Sequence, residues 1–61
     1  MPNPEVYRSA LVMVEHYGER AEVEAAELAR SMSARGDLDG QRVWLQIVKV
    51  IAELRQSEAV E

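Results

Sequence analysis

Apolar side chains recur at helical spacing along nearly the whole chain, in three blocks separated by glycine. In the first block Tyr7, Ala10, Leu11 and Val14 follow at spacings of three, one and three, and Val6, Met13 and Tyr17 widen the stripe. Asn3 suits the N-cap, and Pro4 at the first helical position sacrifices no hydrogen bond. Glu5 meets the positive end of the dipole, and Gly18 is the natural stop. The second block, from Glu19 to Arg35, turns Ala21, Ala25, Leu28, Ala29 and Met32 to one side. Glu22, Glu24, Glu27 and Arg30 point outward there, and Val23 falls off the stripe and should be exposed. Helices one and two could instead run on through Gly18, at about 1 kcal/mol relative to alanine. A single helix that long would have to find a partner elsewhere, so the break is preferred.

Gly36-Asp37-Leu38-Asp39-Gly40 cannot continue a helix and separates the second block from the third. Gly36 closes one helix; Asp37 or Asp39 caps the next, with Asp37 preferred because Gly36 then ends the preceding helix directly. In the third block Trp44, Ile47, Val48, Ile51 and Leu54 form one stripe that Val43 and Val50 extend. This is the most apolar element and is expected at the centre, with Trp44 in the core. The predicted fold is all-α: a compact three-helix bundle in one small domain, residues 1–61, with helices at roughly 4–17, 19–35 and 38–56. Residues 57–61 lack periodicity and should fray.

At 61 residues and without cysteine, the chain has neither a second core nor a disulfide or zinc–thiolate staple. Stability must come from helix packing or from self-association. Eleven acidic against seven basic residues leave a net charge of -4, which repels phosphate backbones and anionic membranes at long range. No run approaches the roughly 18 apolar residues of a membrane span, and no basic, apolar leader follows Met1. A cytoplasmic protein is expected.

Candidate chemistry is sparse. Asp37, Asp39 and Gly40 imitate part of a calcium loop, but Arg35 and Gln46 fall where its first and last carboxylates belong, so capping explains the aspartates. His16, the only histidine, lies near Glu15 and Glu19 but lacks a second histidine to complete a metal site. The serines have no base within reach of the sequence, no glycine-rich phosphate loop is present, and the clustered glutamates read as a solvated face. No catalytic, metal-binding or cofactor-binding residue is assigned, and the chain is not expected to be an enzyme.

Two surfaces remain. Arg42, Gln46 and Lys49 form a polar stripe on the third helix that would face a nucleic-acid groove if the last two helices were a helix-turn-helix unit. The aspartates at that helix's start and the net charge oppose this. The apolar positions of the third helix, meanwhile, wrap further than a narrow stripe, and two neighbouring helices need not cover them all. Tyr17, Val43 and Val50 are the candidate protein contacts.

His16-Tyr17-Gly18-Glu19-Arg20-Ala21, Gly36-Asp37 with Gly40, and Trp44 followed by Ile47, Ile51 and Leu54 resemble a family of short, uncharacterised alphaproteobacterial proteins, a domain of unknown function. The resemblance spans Val6 to Leu54 and implies a small all-helical cytoplasmic protein with no assigned activity or cofactor. The lack of catalytic equipment and the surplus apolar positions of the third helix set the expected function: a small bacterial protein-interaction or regulatory module acting through an apolar helix surface, by self-association or with another protein. A DNA-binding regulator and an accessory subunit of a larger complex are the alternatives.

Overall fold

Asn3 accepts a hydrogen bond from the Glu5 backbone N–H at 2.8 Å, and Pro4 takes the first helical position, so the chain enters a helix immediately. The computed structural model describes the backbone of residues 3–59 and the side chains of residues 3–56. Helix α1 runs Pro4–Tyr17, one turn of 3-10 helix follows at Gly18–Arg20, and then come α2, Ala21–Ala34, and α3, Leu38–Ala59. No strand occurs among the described residues. The start predicted at 19 is the 3-10 turn, so α2 begins at Ala21. The α3 backbone runs on to Ala59, into the predicted tail, and Val60 and Glu61 lie outside the described residues.

Gly18 bends the chain. Its φ of 56° and ψ of -122° mirror the extended basin of an L-residue, a region open to glycine and closed to side chains. Its N–H still donates to the Val14 carbonyl, so α1 closes cleanly before the turn. A straight helix from Pro4 to Ala34 would be about 46 Å long at ~1.5 Å per residue. The longest dimension of the whole molecule is only 40 Å. The bend therefore brings α1 back towards α3, which packs against both α1 and α2. Architecturally, α1, the turn and α2 form one bent helical rod, and α3 is the second arm. The radius of gyration, 11.4 Å, is close to the ~10.5 Å of a compact domain of this length.

The bent rod and α3 enclose a small aliphatic core. Val6, Ala10 and Met13 from α1, Ala21 and Ala25 from α2, and Ile47, Val50 and Ile51 from α3 make one cluster. Val14, Trp44, Val48 and Leu54 close its edges, half-buried. Ala21, Ala25 and Ala29 recur every fourth residue as a buried column of small side chains, which lets the α3 backbone approach closely.

Four expected positions move. Tyr7 and Leu11, predicted inward, are exposed, and the inward face of α1 is Val6, Ala10 and Met13. The apolar stripe of α1 is wide enough for either register, and Ala10 is inward in both; the observed one sets the smaller Val6 and the flexible Met13 against α3 in place of Tyr7 and Leu11. Leu28 lies at the rim, because the alanine column occupies the contact. Trp44 is half-buried against the cluster, not at its centre.

The link between α2 and α3 is closed at both ends. Gly36, at φ 80°, donates to Ser33 O at 3.0 Å, and Asp37 N–H donates to Met32 O at 2.9 Å. This crossed pair of bonds is a Schellman close. Asp37 then caps α3: its Oδ1 accepts from Gly40 N–H at 2.8 Å, and its carbonyl takes the first helical bond, from Gln41 N–H at 3.0 Å. Gly36 closes α2 and Asp37 caps α3, as the sequence predicts.

Candidate functional site

The predicted contact residues lie on α3 and at the bend, and they differ in exposure. Of the three predicted protein contacts, Tyr17 is 47% and Val43 45% exposed, whereas Val50 is only 6% exposed. Val50 belongs to the core cluster, and this corrects its assignment as a contact residue. The reason is angular: α1 and α2 approach α3 from two sides, so the face they cover is wide enough to take in Val50 beside Ile47 and Ile51.

A second apolar seam on α3 escapes the single-stripe reading. Leu38, Gln41, Leu45, Val48 and Ala52 follow at spacings of three, four, three and four, which places them along one line of the helix. Leu38 is 63% and Leu45 51% exposed, the two most exposed large apolar side chains among the described residues. Gln41, Val48 and Ala52, the other positions of the seam, are half-buried. The signal was present in the sequence, but the stronger stripe of Trp44, Ile47 and Ile51 masks it, because both stripes share Val48.

Arg42, Gln46 and Lys49 are all exposed and stand on the side of α3 away from the core. Asp39 and Glu53 share that outer face, so the stripe is of mixed charge. His16 lies exposed in the last turn of α1. Among the described residues no three acidic or histidine side chains gather into a metal-holding group. The Asp37 carboxylate is engaged as the cap of α3, which accounts for the partial calcium-loop pattern.

Arg55 is a residue the sequence did not single out. Its Nη1 donates to the Glu19 carbonyl at 3.3 Å and to Glu22 Oε1 at 3.2 Å. It therefore ties the last turns of α3 to the bend between α1 and α2. An exposed ion pair of this kind contributes at most about 1 kcal/mol, so it positions more than it stabilises. Arg20 pairs with Glu24 one turn on, at 3.5 Å, which supports the start of α2.

The accessible surface of the chain is 4675 Å². A compact monomer of this mass exposes ~4000 Å².

No family model, no curated protein and no solved structure matches the chain.

Proposed function

We propose that this chain is a non-catalytic protein-interaction module, a small three-helix domain that presents an apolar surface of α3 to another protein. The observation that carries the reading is the second seam, with Leu38 and Leu45 more than half exposed one heptad apart. An amphipathic helix lays its apolar face into such a seam and is anchored at these spacings. Val43 and Tyr17 supply further exposed apolar area. The resemblance to short bacterial helical proteins and a cytoplasmic setting belong to the same proposal.

Capture of the tagged protein from the cells that make it, with and without nuclease, tests the reading. A protein retained in stoichiometric amount after nuclease treatment, and lost from a Leu38→Lys/Leu45→Lys variant with unchanged melting temperature, is the expected result. Loss of all partners on nuclease treatment would instead favour DNA binding through Arg42, Gln46 and Lys49, whose shared exposure on one face supports that second reading. Charge reversal at those three positions should then abolish duplex binding.

A further inference from the structure

Between Pro4 and Ala34 the chain is helical except where Gly18 turns it. Tyr17, at φ -115° and ψ -10°, and Arg20, at φ -91° and ψ 1°, stand about 30–50° from helical values but keep negative φ, so both can rotate into the helix without crossing into the left-handed region. Gly18, at φ 56°, is the one residue of the bend that must change basin to make the rod a continuous helix. Space does not impose the bend: a side chain carbon built at Gly18 meets nothing within 4 Å.

The buried residues of the two halves share one face if the rod is straightened. Val6, Ala10, Met13, Tyr17, Ala21 and Ala25 follow at spacings of four, three, four, four and four, an unbroken helical stripe through the bend. Tyr17 lies in the middle of it and is 47% exposed in the bent form. A straight rod is about 46 Å long and α3 about 33 Å at ~1.5 Å per residue, so one α3 cannot cover that face. The surface that fits the remainder is already built: the side of α3 bearing Ile47, Val50 and Ile51, which receives Val6, Ala10 and Met13 within the single chain.

We infer that the partner fitted to this surface is a second copy of the same chain, which exchanges α1 when the bend at Gly18 opens into a continuous helix. Each α1 then lies on α3 of the other copy and remakes the apolar contacts it made at home. Two long helices and two copies of α3 form a four-helix dimer, with Tyr17 covered near its twofold axis. Remaking identical contacts keeps the exchange inexpensive, and a small domain gains most from the added burial. In the bent form Arg55 donates to the Glu19 carbonyl and so joins the end of α3 to the bend. This inference rests on the bend and its stripe and is independent of the seam on the outside of α3.

The test is two substitutions of opposite sign at one position. Gly18→Ala penalises the bent conformation and favours the helix, so it should lower the dimer dissociation constant by on the order of a thousandfold, both protomers contributing. D-alanine at position 18, introduced by chemical synthesis, fits the mirror-image basin and should hold the chain monomeric and raise its melting temperature. Light scattering across a concentration series reads the oligomeric state. Spin labels on exposed Val12 and Ser33 read the shape, with an intrachain separation of ~32 Å in the continuous helix and less in the bent rod. A Gly18→Ala protein that stays monomeric, or unfolds and gains no order with concentration, overturns the inference. A dimer that keeps the shorter label separation overturns it too, because its copies would associate without exchanging α1.

Discussion

Replacing Gly40 by alanine would set a methyl carbon 2.7 Å from Asp37 Oδ2, 2.9 Å from its Cγ and 3.1 Å from its Oδ1. No carbon sits that close, so the carboxylate must swing off the first turn of α3 and release the Gly40 N–H it caps at 2.8 Å. Two effects of similar size then oppose each other. Alanine is favoured over glycine inside a helix by about 1 kcal/mol. Loss of an aspartate cap costs about 1 kcal/mol. Gly40→Ala alone should therefore change stability by less than about 0.5 kcal/mol. Asp37→Ala alone should cost about 1 kcal/mol, since the backbone bond from residue 37 to Met32 O survives the substitution. With the carboxylate already gone, the same Gly40→Ala change should recover the full ~1 kcal/mol. The coupling between the two sites is thus about 1 kcal/mol, although neither side chain touches the core. Urea unfolding of the four proteins followed by circular dichroism measures it, and in a domain this small 1 kcal/mol corresponds to roughly 4–8 °C in melting temperature. Gly40→Ala effects that agree within about 0.3 kcal/mol in the two backgrounds would refute the reasoning and mean that the carboxylate does not cap the helix in solution.

Ile51→Ala, at a fully buried position, should cost about 2–5 kcal/mol and leave the chain largely unfolded at 37 °C, read by thermal melting. Trp44→Ala should cost only about 2 kcal/mol, well below the ~3–5 of a central tryptophan, because Trp44 is half-buried; a larger loss would place it deeper. Gly36→Ala forces a methyl group onto a residue at φ 80° and should cost about 1–2 kcal/mol in the same urea assay, while the far-ultraviolet spectrum stays helical. Ala25→Leu inserts bulk where α3 approaches the alanine column, and about 1–3 kcal/mol of destabilisation is expected; a neutral result would mean that α2 and α3 stand further apart.

Local rules carried much of this protein. Asn3, Pro4, Gly18, Gly36 and Asp37 mark their boundaries through bonds to neighbours within five residues, so their roles are legible in the sequence. The exposure of Val23 follows in the same way, from its angle on α2 alone. Where the sequence misled, two local answers had equal merit. The apolar stripe of α1 is wide enough to face inward through Tyr7 and Leu11 or through Val6 and Met13, and only the distance to α3 chooses between them. Val50 and Val43 both extend the stripe of α3, yet one is buried and the other exposed, because coverage depends on where the bent rod lies.

The outer seam and the Arg55 clamp divide along the same line. Leu38, Gln41, Leu45, Val48 and Ala52 carry their spacing in the sequence, but periodicity gives the direction of a side chain and not what stands opposite it. Arg55 meets Glu19 and Glu22 across more than thirty residues of chain, a contact no local pattern encodes. Helix limits, caps and the glycine that permits a bend were therefore determined by the sequence itself, because backbone hydrogen bonding and φ preferences act over a few residues. The bend's actual course, the face of each helix that is buried and the apolar surface left exposed were decided by tertiary structure, because burial depends on which segments distant in the chain come to lie against one another.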